Sequence, residues 1–190
     1  AFVIPNDSCG VGGLAVGGSP TTPTGFHGPL PLIAAHGITA QPADVAGLLA
    51  YGQNTVAGLN DASNGGRTAL AQTGPISSVW DNGEQIARDA NEMISRTGAP
   101  AVNVIAHSKG GLDTREAIYT DPGAIANLGM LATPNGGSKL ANKLCFLRRL
   151  NINFVFDSQG ACDNDSNGLY DLQTGYVTGV FNQVVRDDPS

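Results

Sequence analysis

The chain has 190 residues, 41% of them hydrophobic, which is enough for one domain with a buried core. Only 14% are charged and the net charge is −6, and its longest basic cluster, Arg148-Arg149, is too short for a nucleic-acid surface. No apolar run in these residues approaches the length of a membrane-spanning helix.

Residues 1–28 are rich in Gly, Pro, Thr and Ser and predict surface loops with a short edge strand near Phe2–Ile4. The chain begins at Ala1, and its first apolar residues lack a basic flank; a mature protein whose leader has been removed is expected. Pro29 to Ala35 is a continuous apolar run, as in a strand buried on both faces, and it leads into His36-Gly37-Ile38. Gln41 to Tyr51 carries Val45, Leu48 and Leu49 at helical spacing behind Pro42. Arg67 to Gln72 is a weaker strand signal. Asp81 to Glu84 has capping-box spacing, which predicts a helix with Asp81 at its cap. Ile86, Ala90, Met93 and Ile94 form that helix's apolar stripe, and Gly98 and Pro100 stop it.

The most informative stretch is Val102 to Gly111. An apolar strand ends at Ala106-His107-Ser108-Lys109-Gly110, and Leu112 to Tyr119 predicts a helix. Strand, sharp turn, helix is the setting of a nucleophile elbow, whose strained serine needs small residues two positions away on either side. Ala106 and Gly110 fill those places. Ala124 to Ala132 then predicts another buried strand. Alternating strands and helices imply a parallel sheet with helices on both faces, and sites at the carboxyl ends of its strands. Ser108 and His36 both fall at such ends. No linker or repeat divides residues 1–190, so one domain is expected.

With these motifs in hand, the chain resembles the α/β-hydrolase superfamily, in particular its secreted bacterial triacylglycerol lipase and esterase branch. His36-Gly37 is similar to the His-Gly of the oxyanion loop, and Thr73 to Asp81 to a Gly-Pro-x-Ser-Ser-x-Trp-Asp segment. Ala106 to Gly111 resembles the Ala-His-Ser-x-Gly-Gly elbow, and Ala132 to Ser138 the Thr-Pro-x-x-Gly-Ser loop. Leu169 to Asn182 is a weaker match. The resemblance implies acyl transfer with Ser108 as nucleophile and the backbone N–H groups of Ile38 and Lys109 as oxyanion donors. His36, Gly37, His107 and Gly110 would support them, and no cofactor is required.

The family's chain order is serine, acid, histidine, yet no histidine follows His107. His36 belongs to the oxyanion loop, and His27 lies in a Gly-Pro-rich stretch. The preferred explanation is an N-terminal portion of a longer catalytic domain, apparently lacking its C-terminal strands. The missing segment or a second chain would carry the histidine and acid, and this chain alone would be nearly inactive. A non-catalytic α/β-hydrolase-like binding protein is the alternative. A thioesterase or polyester hydrolase would share the chemistry.

Three further features bear on location and metal binding. Cys145 and Cys162 could form a disulfide, leaving Cys9 over, which favours a secreted, extracellular protein. The apolar segment between them fits either a cap over the site or a core strand at Ile152–Phe156. Asp163, Asp165 and Asn167 match the first half of a calcium loop, but its twelfth position is Thr174 where a Glu is needed, so a polar turn is preferred over a calcium site.

Overall fold

The structure, a computed structural model, describes residues 15–16, 30–38, 68–150, 162 and 167–185. Its sheet contains β1 (Ala15–Val16), β2 (Leu32–Ala35), β3 (Thr68–Leu70), β4 (Val102–His107) and β5 (Ile125–Leu131), in the order β1-β3-β2-β4-β5. β1 pairs antiparallel with β3, and every other pairing is parallel. The four parallel strands are the α/β architecture expected from the alternation of elements. After β2 the chain moves outward to β3, then crosses back to β4 on β2's other side. That reversal opens a crevice beyond the carboxyl ends of β2 and β4, where Gly37 and Ser108 meet.

The core follows from the apolar runs. Ile33 and Ala35 of β2, Ala69 of β3 with Ala71 just beyond it, and Val102, Val104 and Ala106 of β4 form one buried face. Against it pack Ile86, Ala90 and Met93 of α1 (Val79–Thr97) and Ala117 of α2 (Lys109–Thr120). Ile33, Ile86 and Met93 are fully buried, and each such side chain contributes roughly 1.5–3 kcal/mol. All four residues of β2 are buried, as its unbroken apolar run requires. Among the described residues, the helices packed on the sheet, α1 and α2, lie on this one face. The helix expected at 41–51, the edge strand at 2–4 and the strand at 152–156 lie outside the described residues.

A second apolar cluster joins α3 (Lys139–Arg149) to the C-terminal segment. That segment runs through α4 (Gly168–Asp171), α5 (Thr174–Tyr176), a π-helical stretch at Val177–Phe181 and α6 (Asn182–Val184). Leu169, Leu172, Tyr176, Val177 and Phe181 bury against Val79, Leu112, Ala141 and Cys145. Polar ties fix the segment in place. The Asp171 carboxylate accepts the Val79 N–H at 2.7 Å, setting a negative charge on the positive end of α1. The Arg115 guanidinium lies 5.2 Å from the Phe181 ring centre and donates to Asn182 Oδ1 at 2.9 Å. Trp80 Nε1 donates to the Tyr176 hydroxyl at 2.7 Å. Cys145 and Cys162 form the disulfide, with Cα atoms 5.4 Å apart.

Several sequence expectations are corrected. The cap of α1 is Ser78, whose hydroxyl accepts the Asp81 N–H at 3.0 Å. Asp81 therefore sits in the first turn and is not the cap. A hydroxyl three residues upstream of a first-turn acid is the same capping pattern, read one turn too late. β3 is shorter than the Arg67–Gln72 run. β5 is present but not buried: Met130 and Leu131 are 43% and 49% exposed, because β5 is the sheet's edge among the described residues. α3 was not anticipated at all.

Candidate active site

Ser108 occupies the N-cap of α2, a position that serines usually fill because the hydroxyl can accept an N–H from the first turn. Its backbone prevents that here. With φ 54° and ψ −127°, Ser108 makes no side-chain capping bond, which leaves Oγ free for chemistry. Among the described residues, only Ser108 and Ala132 combine a side chain with positive φ. Such strain costs on the order of 1–3 kcal/mol and persists only where the surroundings enforce it. The enforcing contacts are visible. The Ser108 N–H donates to the Leu131 carbonyl at 2.8 Å, and its own carbonyl accepts from Gly111 at 3.1 Å.

Small residues make the turn possible. A Cβ on Gly37 would stand 2.7 Å from Ser108 Cβ and 3.2 Å from its Oγ. A Cβ on Gly110 would run into the His36 carbonyl. The His-Gly loop and the elbow are thus packed backbone against backbone. Lys109 opens α2, so its N–H has no intrahelical acceptor.

The ring of His36 is buried and held at both nitrogens. Nδ1 lies 2.9 Å from the Gly37 carbonyl, and Nε2 lies 3.1 Å from the Thr73 carbonyl and 3.0 Å from its hydroxyl. These partners tie the His36-Gly37 loop to the segment before α1. His107 is half-buried at the end of β4. His27 lies outside the described residues.

Beneath the elbow is a polar network that the sequence did not reveal. Lys109 Nζ meets Asp113 Oδ1 at 2.6 Å, and both side chains are 1% exposed. Asn82 Nδ2 donates to Asp113 Oδ2 at 3.1 Å and to the Gly74 carbonyl at 3.0 Å. Burial pushes the Asp113 carboxyl up, while the Lys109 ammonium and the Asn82 amide oppose that rise. An i,i+4 Lys–Asp pair on a helix normally lies in solvent, so spacing alone carried no sign of this burial.

Above Ser108 opens a mostly apolar cavity of about 350 Å³. Ile38 and Ile76 line one part, Leu140 and Leu144 of α3 another, and Leu169 and Leu172 a third. The structure therefore brings together Ser108, Ile38, Gly37, Lys109 and Gly110. Asp163 and Asp165 of the expected calcium set lie outside the described residues, while Asn167 stands at the N-cap of α4. Among the described residues no group of three His, Cys, Asp or Glu side chains could hold a metal.

No family model matches the chain. Over 60 residues, 32% of its length, it is 37% identical to a triacylglycerol lipase of Pseudarthrobacter phenanthrenivorans, and over 72 residues it is 36% identical to one of Pseudomonas fragi. These stretches span 19% and 25% of those relatives, well under half their length. Among solved structures, mature Bacillus licheniformis lipase BlEst2 superposes with a TM-score of 0.65 at 22% identity, over 94% of this chain and 67% of that one. EstA from Clostridium botulinum gives 0.53 at 14% identity, over 89% and 60%. The chain shares the fold of these structures and, over about a third of its length, is similar in sequence to triacylglycerol lipases.

The strand, turn and helix around Ser108 stand where the sequence reading has them, whereas α3, which forms a wall of the cavity, lies outside that reading. The signal was available. Ser138 precedes Leu140, Leu144 and Leu147 at helical spacing, and the Ser138 hydroxyl caps the helix by accepting the Ala141 N–H at 3.3 Å.

Proposed function

We propose that the complete protein is a carboxylic-ester hydrolase acting through an acyl-enzyme at Ser108, and that these 190 residues supply the nucleophile, the oxyanion donors and the acyl pocket. The observation that carries this is the uncapped Ser108 Oγ, held in a strained turn below an apolar cavity. Oγ attacks the ester carbonyl and its proton passes to a general base. The N–H groups of Ile38 and Lys109 stabilise the oxyanion, at ~3 kcal/mol for each such donor. The alkoxide leaves with the base's proton, and water then hydrolyses the acyl-Ser108 bond. No cofactor enters these steps, and we assign no catalytic calcium.

The base and its acid partner are assigned to a segment outside these residues that pairs along β5. The half-exposed Met130 and Leu131 support that placement, as does the engagement of both His36 nitrogens. The disulfide supports secretion into an oxidising compartment. We read residues 1–190 as part of one catalytic domain. A non-catalytic binding protein is the second reading, favoured by the lack of any histidine after His107.

A fluorophosphonate probe separates the two. We expect a stoichiometric adduct on Ser108 of the complete protein, mapped by peptide mass, and none on Ser108→Ala. No adduct on the folded complete protein would rule out the hydrolase.

A further inference from the structure

The two halves of the site come from different parts of the chain. Lys109 follows Ser108 beyond β4, whereas Ile38 follows the His36-Gly37 loop beyond β2. Backbone packing sets how closely they approach: a Cβ on Gly37 would strike Ser108, and one on Gly110 would strike the His36 carbonyl. Packing of that kind keeps the halves from moving closer and does nothing to hold them together. A second connection does hold them, and it runs through buried polar side chains.

At the elbow end, Lys109 Nζ donates to Asp113 Oδ1 at 2.6 Å. Asn82 Nδ2 donates to Asp113 Oδ2 at 3.1 Å and to the Gly74 carbonyl at 3.0 Å, while Asn82 Oδ1 accepts the Gly74 N–H at 2.9 Å. Gly74 thereby fixes the orientation of the amide, since it offers a donor to one end and an acceptor to the other. Thr73, next in the chain, reaches the other half of the site. The Gly37 carbonyl takes the His36 Nδ1 proton at 2.9 Å, so Nε2 accepts from the Thr73 hydroxyl at 3.0 Å. Lys109, Asp113, Asn82, Thr73 and His36 are each at most 6% exposed. Stability does not account for such a pair at its centre, because two apolar side chains of similar volume serve a fold as well as a buried Lys–Asp pair. What the charged and amide groups add is direction, and the direction runs from one half of the site to the other.

We propose that Asn82 and Asp113 are positioning residues that set the spacing between the Lys109 and Ile38 N–H groups. The proposal rests on the ester-hydrolase reading, in which those two groups stabilise the oxyanion. Two donors serve one oxygen only while both stay within hydrogen-bond reach of it, and a displacement of about 1 Å can cost about 100-fold in rate. The loss falls on the transition state, where the oxyanion exists, and spares ground-state binding in the apolar cavity.

The test exchanges the two side chains in the complete protein. Ester hydrolysis is measured per active site, with sites counted by fluorophosphonate titration and folding checked by urea melts. Asn82→Asp sets two carboxylates against each other, and Asp113→Asn sets two amide N–H groups against each other. Each should lower kcat about 10- to 100-fold while KM changes less than about twofold. Combining them restores the bond with donor and acceptor reversed, and kcat should return to within about fivefold of the parent, the Gly74 carbonyl having lost its donor. Reduced stability with unchanged kcat in the single variants would show a purely structural tie and overturn the proposal. So would a kcat that stays low in a folded exchange variant. Should the single variants fail to fold, Thr73→Val tests the other end by removing the hydroxyl from His36 Nε2. It should lower kcat about threefold to tenfold at constant KM, and an unchanged kcat would again overturn the proposal. The underlying reading fails in a different way. Absence of an adduct on the unsubstituted protein sinks the hydrolase and the positioning role together, whereas an adduct with full kcat in every variant sinks the positioning role alone.

Discussion

β4 and β5 lie side by side in parallel register and are both written in apolar residues, yet they end up in different surroundings. Val102, Val104 and Ala106 of β4 are at most 1% exposed, whereas Met130 and Leu131 of β5 are close to half exposed. β4 has a strand on each side and α1 and α2 across its face, while β5 has a strand on one side only among the described residues. An apolar run therefore states what a strand would bury and leaves open what covers it. Ser108 sits on the boundary between the two regimes. Its turn is built on the closed side, by Gly37 and Gly110, and is pinned to the open side through the Leu131 carbonyl.

The hardest way to break the closed side is through Lys109. Its ion pair with Asp113 is removed from solvent, so Lys109→Ala leaves a buried carboxylate without its cation. A loss of about 3–5 kcal/mol in urea unfolding of the complete protein is expected. Replacing both partners, as Lys109→Met with Asp113→Leu, should recover most of it, since the desolvation cost of both charges disappears. A loss below about 1 kcal/mol in the single variant would mean that the pair is hydrated.

The next effect contrasts the two strands directly. Ile33→Ala on β2 opens a cavity in the core and should cost about 2–4 kcal/mol. Leu131→Ala should cost less than about 1 kcal/mol in the 190-residue chain, where half of the side chain already meets water. In the complete protein the same change should cost about 2 kcal/mol or more, if a further segment covers β5. Equal, small costs for Leu131→Ala in both forms would place that segment elsewhere.

What could be read from the sequence divides along similar lines. β2, β4 and the elbow were legible because continuous apolar runs and an Ala-x-Ser-x-Gly turn are local statements, made by adjacent residues. The sequence places His36 just after β2, and both of its ring nitrogens have hydrogen-bond partners. The exposure of β5 was not legible, because it depends on what lies beyond Leu131 and not on Leu131 itself. The Lys109–Asp113–Asn82 network was hidden for the same reason: Asn82 reaches Asp113 from 31 residues away. α3 was obscured by Cys145, which drew attention to a bracketed loop and away from the leucine spacing around it.

The smallest expected effect concerns Asp89, on the closed side of the sheet. This α1 carboxylate is 1% exposed, accepting the Gln72 N–H at 2.9 Å and the Gln85 amide at 2.7 Å. Burial outweighs both hydrogen bonds and pushes the carboxyl up to about 6, with Glu92 acting in the same direction and Arg88 against it. An unfolded aspartate ionises near 3.8, so the folded protein takes up this proton more readily than the unfolded chain does. The stability tied to the protonated form is complete below that lower value. It is lost as pH rises through about 6, where burial of the ionised carboxylate begins to weigh on the fold. Asp89→Asn keeps an oxygen for the Gln72 N–H and cannot ionise. It should raise the unfolding free energy by on the order of 1 kcal/mol near neutral pH and change it little at about pH 4. Urea melts across that range read the difference directly. A gain that is the same at both ends would mean that the benefit comes from the amide's hydrogen bonds, and that Asp89 meets water that the closed side of the sheet is argued to exclude.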